Sequence, residues 1–333
     1  MSDRPFSHIY VEESLRDNDR ADAILKRFRH ATVIPIADYR QLFMRPRQEW
    51  RGQKESQKLV LAERKAEFLY AGSAVTPHFG FQHFFYNTLA LNCLYDCSYC
   101  YLQGMLPSAN LVLFLNVEDF IEAALAQLRR TAPMYLCLSY DTDLLPLESF
   151  VPYTDLWLQV VRDTPELTVE LRTKSAATHA LRGKTPCDRY ILAWTLAPQI
   201  AIDRFERRTP SLKSRLLALR SAIDSGWSVR VCLDPVLEFE GWQAAYEALL
   251  ADLSSLPLHL VRDVSVGTLR MSKEHWKQFS RVRSDYRDLG PTQPQGQYVA
   301  APGEHLEVVL ELARQFLPRV EPAWTPAAPL YMS

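Results

Sequence analysis

"LNCLYDCSYCYLQGM", residues 91–105, decides how this chain is read. Three of its six cysteines fall within eight residues, as Cys93-x-x-x-Cys97-x-x-Cys100, with Tyr99 and Tyr101 flanking the last. Three chemistries compete for such a cluster. A structural zinc site asks for four tetrahedral nitrogen or sulfur ligands. The nearby candidates for a fourth are His78 and His83, and no second C-x-x-C exists. A disulfide leaves one thiol over and needs an oxidising compartment. An iron–sulfur cluster held by three thiolates leaves one iron open to a non-protein ligand, as a catalytic cluster requires. Spacing favours the cluster, with zinc and inert thiols as the alternatives.

The rest of the composition is that of an ordinary globular enzyme. Of 333 residues, 47% are hydrophobic, enough for a sizeable core, and 23% are charged. No run of about 18 apolar residues suggests a membrane span. The opening "MSDRPFSHIYVEESLRDNDR" is polar and lacks the apolar stretch of a secretory signal. A cytoplasmic chain with reduced thiols is expected, and a monomer. The net charge of −1 gives no strong field for nucleic acid. Residues 26–67 differ, with 11 Lys/Arg against 5 Asp/Glu and Phe28, Tyr39, Phe43 and Trp50 interleaved. Such a segment either grips a nucleic-acid backbone and stacks bases or forms a solvated face over a few core aromatics.

Beyond residue 80 short apolar runs alternate with amphipathic ones. "FFYNTLALN", "MYLCLSY", "LTVELRT", "RYILAWTL", "SVRVCLDPV" and "VRDVSVGTL" read as six strands. "NVEDFIEAALAQLRR", with Asn116 as N-cap, "FVPYTDLWLQVVRD", "SAATHALRG", closed by Gly183, "SLKSRLLALRSAIDSG" and "GWQAAYEALLADL" read as the helices between them. One helix per pair of strands implies right-handed crossovers and a parallel sheet. Six units are too few for a closed eightfold barrel. The expectation is an α/β fold, a partial, open (β/α)6 barrel over residues 81–270. Residues 1–80 read as an irregular leading extension, with "SQKLVLAERKAEF" a strand or a helix within it. Residues 271–333 read as a helical and loop-rich tail. The cysteines follow the first strand, Asp143 the second and Lys174 the third. Thr195 ends the fourth, Asp234 the fifth, and Arg270 follows the sixth. All lie at carboxyl ends, where parallel sheets build their sites.

C-x-x-x-C-x-x-C with an aromatic residue before its third cysteine, after the first strand of a βα series, resembles the radical S-adenosylmethionine (SAM) enzymes. "CSYCYLQG", "NVEDFI", "LRTK" and "FERRTPSLKSRL" resemble the spore photoproduct lyase family, as do the "GW" followed by a strand ending in proline at 226–235, "IYVEES", "LAERKAEF" and "ARQFLP". The resemblance implies a [4Fe–4S] cluster on Cys93, Cys97 and Cys100, and SAM as cofactor. It further implies a 5′-deoxyadenosyl radical that abstracts hydrogen, a carbon–carbon lyase acting on ultraviolet-damaged thymine in DNA, and an external one-electron donor of flavodoxin or ferredoxin type. Tyr99 and Tyr101 match a hydrogen-transfer relay. Thr142, Asp143, Lys174 and Thr195 match SAM-contacting positions, and Asp234 a position near SAM. The family's hydrogen-donating cysteine is replaced here by Tyr140. Cys137, three residues earlier on a strand, is expected to face away from it and to be a structural thiol like Cys187 and Cys232. The family's late arginine–tyrosine pair is missing from "LGPTQPQG". Two alternatives remain: the same scaffold acting on another nucleic acid, a peptide or a small molecule, and a non-enzymatic zinc- or cluster-stabilised module binding nucleic acid through residues 26–67.

Overall fold

The computed structural model describes residues 6–72, 79–317 and 319–322. Six parallel strands lie side by side in chain order: β1 His83–Tyr86, β2 Met134–Leu138, β3 Leu167–Thr173, β4 Tyr190–Thr195, β5 Ser228–Val236 and β6 Val261–Thr268. This is the open sixfold barrel expected. Helices Val117–Thr131, Tyr153–Asp163, Leu212–Asp224 and Trp242–Ser254 cover its outer face. The crossover from β3 to β4 carries only a 3-10 turn, Thr178–Leu181, ended by Gly183 at φ +74°.

Strand alternation divides the sheet into two chemistries. On β3, Val169 and Leu171 join the main apolar core beneath the helices. Glu170 and Arg172 point the other way, into the barrel. There the Tyr135 hydroxyl donates to Glu170 at 2.5 Å, Arg230 donates to Tyr135 at 2.7 Å and also pairs with Glu170, and Arg230 holds Asp263 at 2.8 Å. Glu170 and Arg230 are each 1% exposed, so each charge depends on its partner.

The described residues before 80 are not irregular. Strands His8–Glu12, Thr32–Ile36 and Leu59–Ala62 form a second sheet, joined by Leu111–Phe114 and Ala90–Leu91. "SQKLVLAERKAEF" therefore contains a strand. Strands from both sides of residue 80 meet in this sheet, and its central member "LVLA" is wholly buried. The strand "LVLF" at 111–114 is hidden in the sequence between the cysteines and a helix. Asn116 stands at the N-cap position of that helix but does not cap it: its amide exchanges hydrogen bonds with the backbone of Arg64 at 2.9 and 2.8 Å, tying the second sheet to the helix start.

The tail holds helices Lys273–Val282 and Gly303–Phe316 and a small antiparallel sheet made by Arg270–Ser272, Tyr298–Ala300 and Gln293–Gln295. The Pro- and Gly-containing stretch expected as loop supplies the hairpin of this sheet. Strand Val320–Pro322 then extends the barrel sheet beside β6.

Candidate active site

The cysteine loop is clamped from three directions. Cys97 lies on a two-residue strand, Asp96–Cys97, paired with Glu206–Arg207. The adjoining Ser98 amide donates to the Phe205 carbonyl at 2.7 Å. From the N-terminal side, Lys54 donates to the Cys93 carbonyl, and Gln57 reaches the same oxygen at 3.2 Å. From the tail, Arg283 donates to the Ser98 hydroxyl at 2.7 Å. Helix Lys273–Val282 closes onto the short helix Leu102–Met105, and a Cβ on Gly104 would stand 2.1 Å from the His275 carbonyl. That approach explains the glycine of "LQG".

All six cysteines are free thiols. Burial pushes the Cys93 thiol up to about 11 and raises Cys97 and Cys100 as well, so metal binding must displace protons here. A single zinc needs its ligands around one point. Among the described residues no three His, Cys, Asp or Glu side chains are grouped that way. His83 opens the strand whose far end leads to the cysteines, and His78 lies outside the described residues.

Tyr99 and Tyr101 each rest on a buried carboxylate. Tyr99 donates to Glu206, which is 3% exposed and paired with the fully buried Arg215. Arg215 also donates to the Thr195 carbonyl at 3.1 Å, so the end of β4 is tied into the same network. Tyr101 donates to the Tyr140 carbonyl at 2.7 Å and to Asp141 at 3.1 Å. Asp141 accepts a second bond from the Thr88 hydroxyl at 2.7 Å. Glu206, Arg215 and Asp141 were not singled out from the sequence. The first two belong to "FERRTPSLKSRL", whose Ser211 caps the helix that carries Arg215.

The remaining candidates gather at the carboxyl edge. Lys174 extends from the end of β3 and lies 5.5 Å from the centre of the Tyr99 ring. Burial disfavours its charge, but the Cys97 thiol and Glu206 more than offset that, and its pKa is raised. The Thr142 hydroxyl oxygen is buried with no partner among the described residues. Asp143 is already engaged: it accepts from the Thr173 hydroxyl at 2.8 Å, the Lys174 amide at 2.7 Å and the Leu145 amide at 3.3 Å. Burial still lifts its pKa to about 6. Asp234 forms a two-point pair with Arg270, at 2.8 and 3.0 Å, and lies 3.6 Å from Arg172.

The model of the spore photoproduct lyase family matches residues 83–276, more than half of the chain and all of this edge. The chain belongs to the spore photoproduct lyase family. Among curated relatives, the spore photoproduct lyase of Geobacillus sp. (strain Y412MC61) is 22% identical over 169 residues, half of either chain. That of Bacillus subtilis (strain 168) is 21% identical over 180 residues, 53% of either chain. The chain thus spans about half the length of the curated relatives it matches. In fold the likeness runs further. A mutant spore photoproduct lyase solved with AdoMet and dinucleoside spore photoproduct superposes with a TM-score of 0.78 at 18% identity, over 97% of this chain and 100% of that one. A spore photoproduct lyase complexed with dinucleoside spore photoproduct gives 0.78 at 18% identity, over 96% and 99%.

Within this family fold, one expectation fails. Cys137 and Tyr140 do not face apart. β2 ends at Leu138, and Ser139 takes a left-handed backbone, φ +58°, so alternation does not carry through to Tyr140. Cys137 and Tyr140 belong to one interior cluster with Phe84, Tyr135 and Ile191. The Tyr140 ring packs on Tyr86 at 5.4 Å, and the Cys137 thiol approaches Glu170 at 3.9 Å. Cys232 is fully buried, as expected, whereas Cys187 is half-buried.

Proposed function

We propose that this chain is a radical SAM enzyme that binds a [4Fe–4S] cluster through Cys93, Cys97 and Cys100. What supports this most is one conjunction: three free thiols on one clamped loop, the Lys174 ammonium over its Tyr99 ring, and a buried Thr142 hydroxyl with no partner among the described residues. When bound, the cluster and SAM supply a one-electron cleavage that yields a hydrogen-abstracting 5′-deoxyadenosyl radical.

The chain's own residues bind and orient. Lys174 offers a point charge to the carboxylate of SAM. Thr142 supplies a hydroxyl whose buried oxygen needs a partner. Thr195 ends β4, the strand next to the one that runs into Lys174. Asp143 positions the loop and the Lys174 backbone, since its carboxylate is already satisfied. Asp234 orients Arg270, and that pair forms one wall of the substrate side. Tyr99 and Tyr101 stay protonated, each phenol held on a carboxylate.

The substrate side departs from a dinucleotide site. Tyr140 packs on Tyr86, and the charges of Arg172 and Arg270 act on its phenol. We read this as a lesion-lyase scaffold narrowed for a substrate smaller than the dinucleoside photoproduct, with Tyr140 and Cys137 on the side where a product radical is quenched. The test is anaerobic incubation of reconstituted protein with SAM, dithionite and dinucleoside spore photoproduct, followed by mass spectrometry of the repaired dinucleoside. Wild type should repair poorly, Tyr140→Cys better and Tyr140→Phe no better than wild type. Efficient repair by wild type, equalled by Tyr140→Phe, contradicts the narrowed pocket.

A further inference from the structure

Lys54 is a buried cation with no part in the SAM or substrate contacts proposed so far. It sits on helix Trp50–Glu55, outside the segment matched by the family model, and is 5% exposed. Its ammonium donates to the Cys93 carbonyl. Its own carbonyl accepts from Arg208 at 2.7 Å. Gln57 shares the Cys93 carbonyl at 3.2 Å and continues to the Ala109 carbonyl at 2.7 Å. Gln53 accepts from the Ser108 hydroxyl at 3.0 Å and the Ala109 amide at 2.9 Å. Trp50 packs in one cluster with Leu102, Ala109, Cys100 and Tyr101. The helix is therefore fixed against the cysteine loop at several points, and Lys54 has no freedom to swing into solvent.

A buried ammonium is costly unless an anion answers it. Among the described residues no carboxylate pairs with Lys54. Asp96 acts on it from a distance but lies 3.7 Å from Arg207. Burial lowers the pKa of Lys54, and the loop it is fixed against carries the thiols of Cys93 and Cys100. A lysine placed so has its counter-charge in what those thiols bind. A cluster on three thiolates is net negative, and one added electron makes it more so. The attraction of a fixed neighbouring cation therefore grows on reduction, and such charges are among the levers that set cluster potentials.

We propose that Lys54 is a tuning residue, which raises the reduction potential of the cluster on Cys93, Cys97 and Cys100 by stabilising its reduced form. The proposal rests on the cluster reading given under Proposed function. It also gives the N-terminal segment a role in the chemistry, because that segment supplies the charge which the cysteine loop lacks on that side.

The experiment is a redox titration monitored by electron paramagnetic resonance, on the full chain reconstituted without oxygen and without SAM. Lys54→Gln removes the charge and leaves an amide donor, one bond shorter, on the side of the Cys93 carbonyl. Its midpoint should fall by at least about 59 mV, a tenfold change in the one-electron equilibrium. Lys54→Arg should stay near wild type. Gln57→Leu, which removes a neutral donor to the same carbonyl, should shift far less than Lys54→Gln. If Lys54→Gln does not take up iron, Lys54→Met carries the same comparison, with the same fall expected. Equal midpoints in wild type and the charge-free variant, at equal iron loading, overturn the proposal. So does a Gln57→Leu shift as large as that of Lys54→Gln, which would assign the effect to loop position. A wild type that takes up no iron sinks the cluster reading itself, a separate and recognisable outcome.

Discussion

Tyr99, the aromatic residue before the third cysteine of the motif, donates its phenolic hydrogen to Glu206, and Glu206 is held by the buried Arg215. Glu206 stands directly opposite Cys97 in the two-residue strand pair. Stability and site geometry therefore share one ion pair. Glu206→Ala leaves Arg215 buried and unpaired, which should cost about 3–5 kcal/mol. Removing both charges together, as Glu206→Gln with Arg215→Met, should cost less than the single change. Urea unfolding of the anaerobic protein measures both, and equal losses would show that the buried charge is not what the pair stabilises.

Lys174 and Thr142 separate charge from hydrogen bonding at the proposed SAM site. Lys174→Ala should weaken SAM binding by roughly 1.5–3 kcal/mol, the scale of a hydrogen bond to a charged group. Thr142→Val keeps the shape and removes a neutral group, so about 0.5–1.5 kcal/mol is expected. Equilibrium binding to the cluster-loaded protein gives both values. Unchanged affinity in Lys174→Ala removes that residue from the site.

Gly104 tests the clamp from the tail. A methyl group at this position meets the backbone of His275 rather than a flexible side chain. Gly104→Ala should destabilise by about 1–3 kcal/mol, as overpacking does, and loosen helix Lys273–Val282 from the cysteine loop. Hydrogen exchange should show faster opening of residues 273–282 in the variant. Exchange at the wild-type rate would show that the helix holds its place without this contact.

Glu148 gives a pH signature away from the cysteines. Burial lifts its carboxyl to about 7, although Thr154 donates to it from both backbone and hydroxyl, at 2.8 and 2.5 Å. The folded value lies above the unfolded one. The stability it contributes is thus fully present below the unfolded pKa and is lost as pH rises through about 7. Glu148→Gln accepts the same two bonds without ionising. Its melting temperature should match wild type near pH 5 and exceed it by pH 8. A difference that does not change with pH contradicts the shift.

The six barrel strands were legible because each is a short apolar run bounded by turn residues and followed by an amphipathic stretch. The edge they share places Lys174, Thr195 and Asp234 together on strand order alone. Four things were not legible. The polar inner face lay in plain view as Glu170 and Arg172 in "LTVELRT" and Arg230 in "SVRVCLDPV", but apolar density outweighed the alternation. The N-terminal strands pair in parallel with partners far along the chain, and a strand such as "LVLF" carries no period of its own. The face of Tyr140 depended on a single backbone angle at Ser139, which a rule of alternation cannot supply. Asn116 failed as a cap for a related reason: a distant backbone, that of Arg64, outcompeted the local helix for its amide.

The central claim is that the loop of Cys93, Cys97 and Cys100 holds a cluster that acts on SAM. The direct measurement is 5′-deoxyadenosine, quantified by mass spectrometry after the reconstituted, dithionite-reduced protein meets SAM in the absence of oxygen and of any substrate. With about four irons bound per chain, wild type should form 5′-deoxyadenosine slowly, and Cys100→Ala should neither load iron fully nor form it. Full iron loading in wild type with no 5′-deoxyadenosine, or the same product from Cys100→Ala, would contradict that claim.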